Sequence, residues 1–165
     1  MKNKRYLIAT IIVGCLAIGI NLFIILQSCL NGDRSTESSG FVVELFKSLI
    51  DIFSKNAINE NNIGTFTQVI RKLIGHFGLF AVDGLISSWA IYLSSAYIKK
   101  YKHQYGLLFS LFFGLFIAGL TEVIQSFIPS RSGEIVDVLI DFSGYLLGTG
   151  IIALIIFLRY KRTKD

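Results

Sequence analysis

The chain has 165 residues, 53% of them hydrophobic, with fourteen phenylalanines, one proline and a formal charge of +5; its mean hydropathy is +0.62. A soluble domain of this length has too little interior to hide so much apolar side chain, so the bilayer is the natural solvent. The positive charge does not point to nucleic acid, because the basic residues cluster between apolar runs instead of interleaving with polar surface.

The first apolar run, Tyr6 to Leu26, is long enough for a bilayer core, which takes about 20 residues of helix. Cys15 lies inside it and Cys29 at its end; fourteen helical residues separate them by roughly 21 Å, too far for a disulfide. Leu26-Gln27-Ser28-Cys29 has the look of a lipoprotein cleavage site, but Gln27 fits poorly there and the run is long for a cleaved signal, so an uncleaved helix is expected. Asn31 to Gly40 follows as a polar, flexible stretch. From Phe41 to Lys55 the period changes: Phe41, Leu45, Leu49, Ile52 and Phe53 fall on one helical stripe, with Glu44, Lys47, Asp51 and Lys55 mostly opposite. This predicts an amphipathic helix, too short and too charged to span, lying on the membrane or capping the bundle.

Three more spans follow, Leu73 to Tyr97, Tyr105 to Phe127 and Asp137 to Leu158, with Pro129 just past the third, where it helps stop a helix. The predicted fold is all-α: a four-helix polytopic membrane bundle with an amphipathic helix in the first outer loop. It divides into a first transmembrane helix (1–30), that loop (31–70), a three-helix core (71–158) and a basic tail (159–165). Lys2, Lys4 and Arg5 precede the first span, Lys99, Lys100 and Lys102 separate the second from the third, and Arg159, Lys161, Arg162 and Lys164 follow the fourth. These are ten of the 16 basic residues. The positive-inside rule then places both termini in the cytoplasm, and the 31–70 loop and the Pro129–Val136 loop outside.

Ionisable residues within a span are expensive and face a partner or a cavity. The second span starts with Arg71 and Lys72, then carries His76 and, deeper, Asp83; spacings of four and seven put Lys72, His76 and Asp83 on one helical face. The third carries Glu122 and Gln125, and Arg131 and Glu134 stand in the outer loop. The fourth presents Asp137, Asp141, Gly144 and Gly148 on one face, acidic first and small below, and small residues at this spacing let helix backbones approach closely. With the predicted orientation three helices bring these groups to one level, the outer leaflet, with Asp83 near mid-membrane. Plainer readings stand beside this one. Arg71, Lys72 and Arg131 serve as headgroup anchors, Asp137 caps a helix, and Glu122 with Arg131, or His76 with Asp141, form buried pairs that fix packing.

Arg71-Lys72-x-x-Gly75-His76-Phe77, then Glu122-x-x-Gln125 before Pro129-x-Arg131, then Asp137-x-x-x-Asp141-x-x-Gly144-x-x-x-Gly148, in that order, resemble the VanZ-like family of small bacterial membrane proteins. Its founding member is associated with resistance to the glycopeptide antibiotic teicoplanin. The resemblance covers roughly Arg71 to Gly150. Members often have aspartate where Glu134 stands and asparagine where Asp141 stands, so Asp141 adds a potential negative charge here. The resemblance implies a multi-pass protein of the bacterial cytoplasmic membrane, acting in the cell envelope and in antibiotic resistance, and implies no reaction.

Two classes of function are compatible with these residues. In the first, a non-enzymatic protein binds a membrane lipid or a lipid-linked cell-wall component: Arg71, Lys72 and Arg131 meet phosphate, and Glu122, Gln125 and Asp141 orient the ligand or hold Arg131. In the alternative, an intramembrane enzyme acts on a lipid phosphate, with Glu122, Asp137 and Asp141 holding Mg²⁺ and His76 as general base. Gly133-x-x-x-Asp137-x-x-x-Asp141 is similar to the closing half of the CDP-alcohol phosphatidyltransferase motif; the opening half is missing at Asp83-Gly84-Leu85-Ile86-Ser87-Ser88. A third possibility is proton or ion coupling through Asp83, His76 and Glu122 in a homo-oligomer joined at Gly144 and Gly148. No Walker loop, Rossmann glycine pattern or zinc-type cysteine set is present, so no soluble cofactor is expected and no nucleic-acid partner.

Overall fold

The computed structural model describes residues 4–95 and 103–162. Lys2, Lys99, Lys100, Lys102 and Lys164, half of the basic residues in the predicted charge bias, lie outside the described residues. The described elements are all helices: α1 (Lys4–Ser28), α2 (Gly32–Phe53), α3 (Ile63–Ile70), a π-helix (Arg71–Gly78), α4 (Leu79–Ser95), α5 (His103–Ser126) and α6 (Ile135–Arg162). Among the described residues, four stretches are long and apolar enough to cross a membrane: Tyr6–Ser28, Ile63–Ser95, Tyr105–Ser126 and Ile135–Arg162. Their outer faces carry side chains such as Phe112, 65% exposed, a surface suited to hydrocarbon and far beyond what a soluble monomer displays.

The second span differs from expectation. It begins ten residues earlier than Leu73, because α3, the π-helix and α4 form one continuous rod. Arg71 and Lys72 therefore lie inside the rod, not at its start. The stretch expected to be flexible, Asn31 to Gly40, falls largely within α2; its Ser, Thr, Asp and Gly residues are weak helix formers, but no proline interrupts it and propensity yields to context. The apolar stripe of α2 is turned away from the rest of the chain, with Phe41 75% and Phe53 90% exposed, whereas Val43 is buried.

α4 is the hub, touching α1, α5 and α6, and α6 also packs on α5 and on the π-helix. The core joins Ile24 of α1, Phe80 of α4, Ile117 and Ala118 of α5, and Tyr145 of α6. α6 comes so close to the rod that a Cβ at Gly144 would overlap the Phe77 carbonyl of the π-helix and one at Gly148 the Ala81 carbonyl of α4; from the other side, a Cβ at Gly84 would overlap the Tyr145 carbonyl. Gly144 and Gly148 are thus spent on a contact within one chain, which occupies the surface that an oligomer through them would need.

Further along the rod, hydroxyls tie three helices together. Ser88 pairs with Ser110 at 2.7 Å and with Thr149 at 2.7 Å, and Ser110 pairs with the Tyr145 hydroxyl at 2.9 Å. Hydrogen bonds between helices in a membrane average about 0.6 kcal/mol and reach roughly 1.7. Tyr145→Phe keeps the ring and removes only the hydroxyl, so its expected cost in reversible unfolding from mixed micelles is about 0.6–1.7 kcal/mol. A cost several times larger would show that the hydroxyl network, not the apolar contact, holds these helices.

Candidate functional site

The residues singled out in the sequence meet at one end of the bundle, where α1 and α5 end and α6 begins. The π-helix organises this end. Eight residues, Arg71 to Gly78, adopt it, an unusual length for a conformation found mostly as single turns and often at functional sites. Its wider turn rotates everything that follows relative to an uninterrupted α-helix. Lys72 and His76 reach α6, but Asp83 turns to α1, where its carboxylate accepts hydrogen bonds from Asn21 at 2.8 Å and Ser87 at 2.6 Å. Asp83 therefore does not share a face with Lys72 and His76, and the expected coupling set of Asp83, His76 and Glu122 is not assembled.

Lys72 bridges the rod to the start of α6, 3.1 Å from Glu134 and in direct contact with Asp137. Its ammonium is committed to two carboxylates, not to a headgroup at a helix end. Nor does Asp137 cap α6. The amides of Asp137 and Val138 donate to the Glu134 carbonyl at 3.0 and 3.2 Å, which puts Glu134 at the cap and Asp137 within the first turn, where the helix dipole still favours its charge.

One turn further in, His76 Nδ1 lies 3.0 Å from Asp141 and 4.0 Å from Glu122. The second Glu122 oxygen accepts the backbone N–H of Glu134 at 3.0 Å. That bond depends on Gly133, whose missing side chain lets the loop rest on the end of α5; a Cβ there would overlap the Glu122 carbonyl. Glu122, Asp137 and Asp141 are all buried. The expected His76–Asp141 pair is present and the expected Glu122–Arg131 pair is not.

Arg131 is aimed by a turn over Ile128–Arg131, closed by a 3.2 Å backbone bond, with Pro129 second and Ser130 at φ 63 third, the pattern of a type II turn. Its guanidinium donates to Gln125 Oε1 at 2.7 Å and to the Gln27 and Leu30 carbonyls at 3.2 and 3.3 Å. All three acceptors are neutral. Burial lowers the Arg131 pKa and nearby Arg71 lowers it further, opposed by Glu122 and Asp137 at longer range. A guanidinium stays charged regardless, so Arg131 remains a cation whose three hydrogen-bond acceptors are all neutral.

Two cavities open onto these groups. One, of about 300 Å³, is walled mainly by apolar residues including Phe23, Ile24, Ile70, Ile74, Leu79 and Phe80. The other, of about 500 Å³, is rimmed by Gln68, Lys72, Ser130, Ser132, Glu134 and Asp137. Arg71, His76, Gln125 and Arg131 line both, so the cluster borders open space and is not a sealed network. Among the described residues, one group has metal-ligand geometry: atoms of His76, Glu122 and Asp141 all lie within 4.8 Å of one another. The sequence grouped Asp137 with Glu122 and Asp141 around a metal; Asp137 is instead bonded to Lys72, and His76 stands in its place.

The sequence predicts α1 as a span but not its part in the site. Asn21, buried and bonded to Asp83 and Ser87, was visible as a lone carboxamide in an apolar run. The Gln27 and Leu30 carbonyls that hold Arg131 carry no side-chain signal.

A family model described as VanZ/LLP1 matches residues 9–157. The match starts in α1, so most of α1 and all of α2 lie within it, beyond the Arg71–Gly150 stretch that carries the resemblance in sequence. No curated protein and no solved structure matches the chain. With the match spanning the four apolar helices and the polar end they build, the chain is a membrane protein that belongs to the VanZ/LLP1 family.

Proposed function

We propose that this protein binds the anionic headgroup of a membrane lipid, a lipid-linked cell-wall component above all, and so alters how the cell surface responds to glycopeptide antibiotics such as teicoplanin. The observation that carries the reading is the junction of an apolar and a polar cavity at Arg71, His76, Gln125 and Arg131. A lipid phosphate has the same two parts: a chain for the apolar side and an anion for the guanidiniums, whose fork matches phosphate oxygens. Arg131, bonded only to neutral oxygens, gains a counter-ion when an anion enters. Lys72 is scaffold in this scheme, since Glu134 and Asp137 already neutralise it. The glycopeptide link is supported by the family resemblance. Placement at the outer leaflet is supported by Arg159, Lys161 and Arg162 at the far end of α6, because basic helix ends favour the cytoplasmic side.

The test is retention of lipids by the full chain in nanodiscs, read by native mass spectrometry. Lipids with a phosphomonoester or diphosphate headgroup should be retained over zwitterionic ones, and Arg71→Gln should weaken retention about tenfold, the equivalent of about 1.4 kcal/mol. Equal retention of both lipid classes would sink the reading. In cells, Glu122→Gln and Arg131→Ala should each abolish any glycopeptide resistance that the wild type confers; unchanged resistance at normal expression would show that this cluster is not the active part.

A further inference from the structure

We propose that His76, Glu122 and Asp141 form a binding site for one divalent transition-metal ion of the zinc, manganese or ferrous class, set into the wall of the apolar cavity. The inference does not rest on the lipid reading.

The first support is geometric. Ligands bound at about 2.0–2.2 Å lie roughly 3.0–4.2 Å from one another, according to the angle they subtend at the metal. His76 Nδ1 is 3.0 Å from Asp141 Oδ1 and 4.0 Å from Glu122 Oε1, and the whole set fits within 4.8 Å. Movement of a few tenths of an ångström would close it around an ion.

The second support is independent of spacing. Glu122 Oε1 and Asp141 Oδ2 are buried with no hydrogen-bond partner, in side chains only 5% and 1% exposed. An orphaned carboxylate oxygen in a membrane interior is costly, and here there are two, one on each of the carboxylates flanking the same imidazole. The nearby cations do not relieve them: Lys72 is bonded to Glu134 and Asp137, and Arg131 is bonded to neutral oxygens. One imidazole cannot satisfy both carboxylates at once, whereas a dication can.

The surroundings also suit a metal. The Glu134 amide holds Glu122 Oε2, fixing the carboxylate with its other oxygen toward His76, as outer-shell donors do for metal ligands. His76 and Asp141 line the apolar cavity, which leaves a coordination position open on that side. One imidazole with two carboxylates selects borderline transition metals over Mg²⁺ or Ca²⁺, which prefer all-oxygen shells.

The experiment uses the full chain in detergent, stripped with chelator and dialysed against Zn²⁺, Mn²⁺ or Mg²⁺ without any lipid phosphate. The expected result is one Zn²⁺ or Mn²⁺ per chain, bound at least tenfold more weakly by Glu122→Gln and Asp141→Asn. His103→Ala, which removes the only other histidine, should bind as wild type does. X-ray absorption of the zinc form should show nitrogen and oxygen ligands with an imidazole contribution that disappears in His76→Gln. Zinc should raise the Tm of the wild type but not of Glu122→Gln, a readout that also reports whether the variant is folded. Absence of stoichiometric binding, binding indifferent to Glu122→Gln, or Mg²⁺ binding as tight as Zn²⁺ would each overturn the proposal. Since no lipid phosphate is present, such a failure leaves the lipid reading to its own test.

Discussion

Gly148→Ala should be strongly destabilising, while Gly150→Ala, two residues along the same helix, should be neutral or stabilising. At Gly148 the added methyl would meet the Ala81 carbonyl, the Leu85 amide nitrogen and the Gly84 carbonyl carbon. All three are backbone atoms of α4, which cannot swing aside as a side chain does. Overpacking a tight contact costs about 1–3 kcal/mol, and the upper end applies where only whole-helix movement relieves it. At Gly150 nothing lies within 4 Å, so the methyl adds helix propensity of about 0.8–1.0 kcal/mol. Reversible unfolding in mixed micelles separates the two signs. If Gly148→Ala proved as stable as wild type, α4 and α6 would not approach as closely as described. Gly144→Ala carries the same logic into the site, because its methyl would press on the Phe77 carbonyl, beside His76. It should cost stability and also weaken whatever His76 and Asp141 bind together.

What the sequence revealed and concealed follows from where the information lies. The spans were legible because about twenty apolar residues in a row match the thickness of a bilayer core and little else. The acidic-then-small stripe of α6 was legible because spacings of four, three and four keep one face of an unbroken helix, and α6 is unbroken. His76 and Asp141 could be paired on those grounds. The rod was harder. Nothing in Arg71-Lys72-Leu73-Ile74-Gly75-His76-Phe77-Gly78 distinguishes i→i+4 from i→i+5 bonding, so Asp83 was carried onto the wrong face by a period that does not hold through the π-helix. Lys72 looked like a helix boundary because its partners, Glu134 and Asp137, lie more than sixty residues away. Arg131 was given a carboxylate because charge complementarity is what side-chain patterns reveal; two of its three acceptors are main-chain carbonyls, which every residue possesses.

Those carbonyls make Arg131 the position where structure and ligand are most closely tied, and Arg131→Ala should disturb both. The chain leaves α1 through a turn in which the Gln27 carbonyl accepts the Leu30 amide at 3.3 Å; the Arg131 guanidinium donates to that same Gln27 carbonyl, to the Leu30 carbonyl and to Gln125. Removing the side chain takes one donor from each of three acceptors, while Gln27 keeps the Leu30 amide; the cost is about 1–3 kcal/mol for each acceptor left unpaired where water cannot reach. Hydrogen exchange over residues 24–30 should quicken about tenfold or more, a change of about 1.4 kcal/mol in local opening, and retention of a lipid phosphate should fall by a similar factor. Arg131→Lys divides the two roles. A lysine restores the charge but is a single point donor without the planar fork, so exchange in α1 should remain fast while lipid retention returns at least in part. If lysine rescues neither, Arg131 is a strut for α1 and the anion falls to Arg71. If lysine restores both, the fork has no special part in docking α1, and the charge alone explains the site.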